Sequence, residues 1–304
     1  MITAEQVYTL WNGIQSSFVT GPATAATNQL GSMFFWAGLG HSNYNAGFIS
    51  LHERAWKGLT LDANLTYAHS LDNAGVIQDV DSAVINAYNL RNGYGTSVFD
   101  RKYVMNVLGV YELPFGKSGD HFYNPLIRNW SMSPIFTWYS GLPLKVTVGS
   151  SQEFGQSSSS SAAAVKLTPA HFSNSVHSGV VGDPTTQVAT AGNATSGGTG
   201  LNLFANPGSV FSSFRPILLS QDVASFGNGG QLRGQARWNV DMSLARKLQI
   251  ERLSATFTAQ FFNMFNHVQF NDPTLSLQRP QTFGVISTQM NAPRIIELGL
   301  HLDF

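Results

Sequence analysis

The feature of this sequence that most limits its fold is a regular alternation of apolar and polar residues over long segments. In residues 59–70, Leu, Ala and Tyr side chains occupy every second position, and Thr, Asp and Asn side chains lie between them. Because successive side chains of a β-strand point to opposite faces, this pattern predicts a strand with one apolar and one polar face. The pattern recurs, less regularly in the first case, in segments 44–56, 101–113, 129–148, 236–248, 253–261 and 294–304.

The links between these segments alternate in length. The short links are 56–58, about 114–128 and 249–252, and the long links are about 71–100, 149–235 and 267–293. This arrangement predicts an antiparallel sheet with turns at one end and loops at the other. The longest link contains the runs SSQEFGQSSSSSAAA and GNATSGGTG. Such runs bury little apolar surface, so we expect a solvated, mobile outer loop at 149–235.

Two architectures use strands with one apolar face: a soluble sandwich or barrel turns that face inward, whereas a transmembrane barrel turns it toward lipid. Strands of about ten to fourteen residues are longer than soluble proteins usually need and can cross a bilayer when tilted. Aromatic residues near the strand ends are typical of rings at the two lipid–water boundaries. These residues are Trp56, Tyr67, Tyr103, Tyr111, Trp130, Trp138, Tyr139 and Trp238. We therefore predict an all-β fold, an antiparallel transmembrane β-barrel segment of about seven strands.

The amino-acid composition excludes several other classes of protein. Only 11% of residues are charged, and 17 Lys and Arg balance 17 Asp and Glu, so the chain has no basic excess with which to bind nucleic acid. The absence of cysteine excludes disulfide scaffolds and Cys-ligated metal sites. The first residues lack a basic start followed by an apolar core, so we expect no secretory signal within this chain.

Six stretches of the sequence carry a resemblance to a known family. They are NYNAGFISLHERAWKGLTLDANLTYAHSLDN (43–73), FDRKYVMNVLGVYELPFGK (99–117), SGLPLKV (140–146), RWNVDMSLARKLQI (237–250), FTAQFFNMFNHVQFNDP (257–273) and PRIIELGLHLDF (293–304). In this order they resemble the C-terminal barrel of Oar-like TonB-dependent receptors, which carry a carboxypeptidase-regulatory-like domain at their N-terminus. The resemblance covers nearly all of residues 43–304 except the loop 149–235.

The resemblance implies a 22-stranded barrel in the outer membrane of a Gram-negative-type bacterium, filled by an N-terminal plug. About seven strands make about a third of such a barrel, and an odd number cannot begin a closed, even-numbered one. We therefore expect a C-terminal fragment that is incomplete relative to the 22-stranded barrel. Residues 1–43 would be an outer loop or the end of a truncated upstream region, and residues 44–304 the barrel segment.

The function implied is that of an outer-membrane receptor and transporter that takes up a solute the sequence does not identify. The alternative is a structural or adhesive outer-membrane barrel without active transport, and a plug domain upstream would favour the first. The expected partners are outer-membrane lipid, the barrel assembly machinery and, through the missing N-terminal part, a TonB-type energy-coupling protein. No cofactor is expected.

Motifs for catalysis or metal binding are weak. The eight histidines show no HExxH-type pairing, and the Ser-rich loop near His171 and His177 has no GxSxG motif. Asp79 and Asp81 lack the Gly and Glu of an EF-hand calcium loop. The glycines of 227–235 precede no amphipathic helix, so they indicate the return of a loop to a strand. We expect no enzyme and no catalytic, cofactor or metal residues, and a barrel-embedded enzyme is the least favoured reading.

Two sets of residues remain as candidates for a role beyond packing. The first set comprises polar residues expected to face the barrel interior, where they would meet the plug, the solute or water. They are Asp62, Asn64, Lys102, Asn106, Glu112, Arg237, Asn239 and Asp241. The second set is the alternating apolar residues of the terminal strand, which resemble the signal that barrel assembly machinery recognises. They are Ile296, Leu298, Leu300, Leu302 and Phe304.

Overall fold

The structure, a computed structural model, describes residues 40–73, 94–115, 128–148, 164–168, 172, 175–216, 232–250 and 253–304. In chain order the strands are β1 (Ser42–Trp56), β2 (Leu59–Asp72), β3 (Gly95–Thr96), β4 (Tyr103–Glu112), β5 (Trp130–Tyr139), β6 (Pro143–Leu144), β7 (Val146–Thr147), β8 (Val165–Lys166), β9 (Phe214–Arg215), β10 (Leu232–Arg233), β11 (Arg237–Ile250), β12 (Leu253–Phe262), β13 (Leu275–Ser276) and β14 (Ile295–Asp303). One short α-helix, α1 (Pro207–Ser212), and three 3₁₀ turns, Thr190–Gly192, Ala194–Ser196 and Pro280–Thr282, lie between them. The described residues contain no helix that could span a bilayer.

Seven long strands form one antiparallel sheet in the order β1-β2-β4-β5-β11-β12-β14, and the short β3 pairs with β2. Each long strand pairs with the long strands before and after it in the chain. The sheet stays open, and β1 and β14 are its two edges among the described residues. The predicted all-β, antiparallel barrel segment is confirmed, and the predicted strands match the observed ones to within two residues at every end except one.

The exception is the segment 129–148, where the long strand ends at Tyr139 and the prediction that it continues is wrong. The chain turns away after Tyr139, and glycine at 141 permits its close approach to the backbone of Gly234, since a Cβ there would collide with the Gly234 carbonyl. Residues beyond this contact form β6, which pairs with β10, and β7, which pairs in parallel with β13.

One face of the sheet is mostly apolar, with Glu53 of β1 and Arg246 of β11 as charged exceptions. Directly opposite residues share a face, and the register aligns Leu65, Met105, Trp138 and Trp238 in one row across four strands. Near the second edge, Leu298 and Leu300 are 71% and 67% exposed. A water-soluble sheet would cover such a surface with another layer, whereas a lipid-facing sheet leaves it open.

Aromatic residues form two belts on the apolar face. At the loop end, the ring centres of Tyr67 and Tyr103 lie 5.3 Å apart, and those of Tyr103 and Trp138 lie 6.4 Å apart. At the turn end, Tyr111 lies opposite Leu59, which pairs with Trp56, and Trp130 begins β5. Eight residues separate the two belts in β4 and in β5, which is about 27 Å along a strand. At a tilt of 35–45° this spans about 20 Å of the membrane normal, close to the height of the apolar band of outer-membrane barrels.

The hydrophobic core of the molecule lies outside the long strands, in a cap built from the loops at the loop end of the sheet. We define the cap as residues 143–148, 164–168, 172, 175–216, 232–234 and 270–288. Its fully buried apolar residues come from separate segments: Leu203 and Phe204 lie between β8 and β9, Phe283 and Ile286 lie between β13 and β14, and Val146 lies in β7. The rings of Phe204 and Phe283 stack at 6.0 Å, and Phe211 meets Phe283 edge-on at 5.2 Å.

The expectation that the loop 149–235 is solvated throughout and buries little apolar surface is therefore wrong for residues 175–216. Apolar residues scattered between the Ser and Gly runs, among them Val188, Leu203 and Val210, supply the core. The run GNATSGGTG folds as tight 3₁₀ turns, and Gly198 packs where a Cβ would collide with the Ala191 carbonyl. Helix α1 begins at Pro207 with Asn206 as its N-cap, which accepts from the Ser209 N–H at 3.0 Å. The serine run of 149–163 and the upstream residues 1–39 lie outside the described residues.

The cap core gives the first prediction. Replacing Phe204, which is 2% exposed, by alanine should destabilise the cap by about 3–5 kcal/mol, since it leaves a cavity against Phe283. Hydrogen exchange of the amides of 199–216 reports this change, while heat-modifiability on gels should show an intact sheet. Val181→Ala, at a residue that is 68% exposed on the same cap, is the control and should leave exchange unaltered. Equal exchange in both variants would contradict a packed cap.

The terminal strand gives the second prediction. Ile296 lies opposite Phe261 on the apolar face, in the row of Met242 and Pro134 midway between the two belts. His301 lies opposite Thr256 on the other face. Ile296→Arg should cost roughly 2–4 kcal/mol because it places a charge in lipid near the middle of the bilayer. His301→Arg should assemble nearly as well as the parent protein, since its side chain lies on the polar face. Outer-membrane fractionation with heat-modifiability on gels measures the assembly of both variants. Equal assembly would refute the assignment of the two residues to opposite faces of the sheet.

Candidate functional site

The polar face of the sheet carries the first group of candidate residues. Asn64 lies opposite Asn106, which lies opposite Thr137, which in turn lies opposite Asn239. These four residues therefore form a transverse band of amide and hydroxyl groups across β2, β4, β5 and β11. The band is tied to its neighbours, since the Ser50 hydroxyl donates to Asn64 Oδ1 at 2.6 Å and Asn239 Nδ2 donates to Asp241 Oδ1 at 2.8 Å. Such a band can offer hydrogen bonds to whatever fills the space beside it.

The other predicted polar residues share this face but not the band. Asp62 pairs with the His52 ring across β1 and β2. Asp241 accepts from the Asn263 N–H at 2.8 Å. Glu112 lies opposite Ser131 at the turn end, and Lys102 immediately precedes β4 at the loop end. Arg237 belongs to a separate ionic cluster at the loop end.

The polar face also carries an apolar patch that alternation did not predict. Leu108 lies opposite Asp62 on one side and opposite Ile135 on the other, and Ile135 lies opposite Asp241. Both apolar side chains are more than 40% exposed. The wall between the two aspartates is therefore apolar and accessible.

A buried carboxylate anchors the loop end of the sheet. The side chain of Asp100 is fully buried and forms an ion pair with Arg233. Asp100 Oδ1 also accepts from the Ser70 N–H at 2.8 Å and lies 3.2 Å from His69 Nδ1. Arg233 further donates through Nη1 to the carbonyl oxygens of Asp100 and Gly141, at 3.1 and 3.3 Å. Since Arg233 lies in β10, the pair fastens the end of the long loop to the sheet.

Two groups of this region have shifted pKa values. Burial alone raises the pKa of the Asp100 carboxyl, but the hydrogen bonds from Arg233 and from the Ser70 N–H outweigh it, so the pKa lies below its ordinary value. Burial lowers the pKa of Arg101, and the positive charge of Arg237 lowers it further. The Arg101 guanidinium lies 4.2 Å from the centre of the Tyr139 ring and donates to the Ser140 carbonyl at 3.0 Å.

A second ion pair lies beside the first. Arg237 Nη2 lies 3.1 Å from Asp272 Oδ2 and donates to the Phe270 carbonyl at 3.3 Å. The other Asp272 oxygen accepts from the Gln235 N–H at 3.2 Å. We call Asp100, Arg101, Arg233, Arg237 and Asp272 the mouth cluster, because they join the cap to the loop end of the sheet. Of these five residues, only Arg237 was predicted from the sequence.

A groove of about 610 Å³ opens in the cap beside this cluster. It lies between residues 191–199 and 271–288, and hydroxyl and amide side chains dominate its polar lining. Asp272 belongs both to this lining and to the ion pair with Arg237. The groove therefore meets the polar face of the sheet through one shared carboxylate. Among the residues that the structure describes, no three His, Asp or Glu side chains group as metal ligands.

Comparison with known proteins agrees with this geometry. The outer membrane beta barrel domain family matches residues 8–297, nearly the whole chain, and the chain belongs to this family. Together with the open antiparallel sheet and its apolar outer face, this defines an outer-membrane β-barrel protein. No curated protein matches the sequence.

The mouth cluster gives the third prediction. Asp100→Asn leaves Arg233 without its counter-charge in a largely buried site, which should loosen the attachment of the cap by about 3–5 kcal/mol. Hydrogen exchange of the amides of 232–237 should accelerate accordingly. Asp183→Asn removes an exposed carboxylate of the cap that binds nearby Thr185 and Thr186, and it should leave the amides of 232–237 unchanged. Equal exchange in the two variants would refute the anchoring role.

The lowered pKa of Asp100 fixes the pH dependence of this attachment. A carboxyl whose pKa is lower in the folded state contributes stability above its unfolded pKa of about 3.9, and that stability is lost as the pH falls through the folded value. Exchange at 232–237, corrected for intrinsic rates, should thus be constant from pH 7 to 5 and should rise below about pH 4. The Asp100→Asn variant should show no such increase in exchange rate. An increase of equal size in this variant would mean that other titrating groups cause it.

Proposed function

We propose that this protein is the C-terminal barrel part of an Oar-like TonB-dependent receptor in the outer membrane of a Gram-negative-type bacterium. In this proposal the parent protein takes up a solute by a non-covalent mechanism, and the chain is not an enzyme. The TonB-type coupling protein acts through the N-terminal part, and the barrel assembly machinery recognises the terminal strand. Support for the family comes from the ordered resemblance of six segments, and support for transport comes from the arrangement of polar groups.

The observation that carries the transport proposal is the shared carboxylate of Asp272. It lines the groove of the cap and pairs with Arg237, the first residue of β11. Asn239 and Asp241 follow on the same face of that strand. A polar solute that leaves the groove would therefore meet hydrogen-bonding groups at each step toward the barrel interior. Along such a path the solute would exchange one set of hydrogen bonds for the next. Its polar groups would therefore keep hydrogen-bond partners throughout entry.

The amide band supports the docking of a plug. Asn64, Asn106 and Asn239 offer donors and acceptors at one height, and Leu108 with Ile135 adds an exposed apolar patch beside them. A mixed wall of this kind suits contact with a folded polypeptide, because interfaces between proteins combine apolar contacts with hydrogen bonds. In a purely aqueous channel the exposed side chains of Leu108 and Ile135 would form no hydrogen bonds with the water beside them.

The alternative is a structural or adhesive outer-membrane barrel without active transport. The packed core of the cap favours it, since a stable outer surface formed by the cap could bind another surface. The two proposals differ in the role of the Asp272–Arg237 pair. In transport it lies on the solute path, whereas in adhesion it only supports the cap.

Depletion of nutrients from defined medium separates the two. The strain carrying the full-length gene should deplete at least one solute that a deletion strain and a strain without the TonB system leave behind. Arg237→Gln should slow that depletion about tenfold while outer-membrane assembly stays normal. Lys247→Gln, on the same face of β11 but at its turn end, is the matched control and should be nearly neutral. Depletion that is independent of both the gene and the TonB system would reject transport, and loss of surface attachment in the deletion strain would then favour adhesion.

A further inference from the structure

Among the described residues, cationic side chains lie over tryptophan rings at only one end of the apolar face. The Lys57 ammonium lies 5.4 Å from the centre of the Trp56 ring, and the Arg246 guanidinium lies 5.8 Å from that of Trp130. Both tryptophans belong to the turn-end belt. In the part of the chain that the structure describes, no cation lies over the rings of the loop-end belt. These rings are Tyr67, Tyr103, Trp138 and Trp238.

Arg246 is a charged residue in a row of otherwise apolar and aromatic side chains. It lies opposite Trp130 of β5 on one side and opposite Phe257 of β12 on the other, and Phe257 lies opposite Leu300. Its neighbours two positions away along β11 are Leu244 and Leu248, so its side chain starts from the apolar face. Lys247, the next residue, lies opposite Thr256 on the polar face.

The position of Arg246 along the strand makes a charge on this face tolerable. A guanidinium on the lipid face of a barrel is costly at mid-bilayer and nearly neutral at the interface. Trp130 belongs to the turn-end belt, and Arg246 lies level with it. Since short turns face the periplasm and long loops face outward in outer-membrane barrels, this level is the periplasmic interface.

We infer that Arg246, together with Trp130 and Phe257, forms a binding site for the phosphate group of a phospholipid in the periplasmic leaflet. A guanidinium presents planar donors that match two oxygens of a phosphate. The Trp130 ring restrains the guanidinium through its cation–π contact, and the edge-on contact of Trp130 with Phe257, at 6.3 Å, leaves an apolar surface for the acyl chain. This site depends on membership of the outer-membrane barrel family and not on the proposed transport.

The test uses the full-length protein extracted from outer membranes in mild detergent. Native mass spectrometry would follow binding of phosphatidylglycerol to the wild type, Arg246→Gln and the matched control Lys247→Gln. The apparent affinity should fall about fivefold in Arg246→Gln, as expected for one cation at a membrane surface, and should stay unchanged in Lys247→Gln. Heat-modifiability would establish that each variant is folded.

Three further results decide the inference. If Arg246→Gln does not assemble, Arg246→Lys serves in its place, since it keeps the charge but loses the planar fork and should bind about twofold more weakly. Millimolar inorganic phosphate should not displace the lipid, and displacement would show a site for free anions instead. Equal lipid binding by the wild type and by the folded Arg246 variant, or an equal loss in Lys247→Gln, would overturn the proposal.

Discussion

The structure depends on one requirement, that every backbone N–H and C=O group inside the hydrocarbon of a bilayer has a partner within the protein. The antiparallel ladder from β1 to β14 meets this requirement for the interior strands and ties each strand to its neighbours in the chain. The alternating sequence then fixes the register, because a slip of one residue would turn every side chain of a strand to the other face. Such a slip in β2 would move Asn64 into lipid and Leu65 away from it. The hydrogen-bonded ladder and the alternating sequence therefore favour the same register.

The two parts of the molecule bury apolar surface against different surroundings. The sheet exposes its apolar residues, such as Leu298, because lipid covers them, so it has little core of its own. The cap lies at the loop end, where water is the solvent, and it therefore needs a conventional core around Leu203, Phe204 and Phe283. The mouth cluster joins these two parts through the ion pairs Asp100–Arg233 and Arg237–Asp272, and both are largely shielded from water.

The sequence predicts the sheet well because the information is local. Alternation can be read strand by strand, so six of the seven long strands are predicted to within two residues at both ends. The cap and the mouth cluster depend on contacts between distant segments, such as Arg233 with Asp100, 133 residues apart. No local pattern reports such a contact, and the Ser and Gly runs between 149 and 235 hide the scattered apolar residues that form the core. Leu108 was missed for a related reason: alternation predicts which face a residue lies on but not that an apolar residue is tolerated on the polar face.

The apolar face of the sheet meets lipid, and the polar face does not. The chain has no cysteine, so single spin labels can be attached at adjacent positions of β11 through Leu244→Cys and Ser243→Cys. In the full-length protein within outer membranes, the label at 244 should be relaxed mainly by oxygen, which concentrates in the bilayer. The label at 243 should be relaxed mainly by a water-soluble nickel complex, or by neither reagent if the plug covers it. Stronger relaxation by oxygen at 243 than at 244 would show that the face assigned to lipid does not meet it.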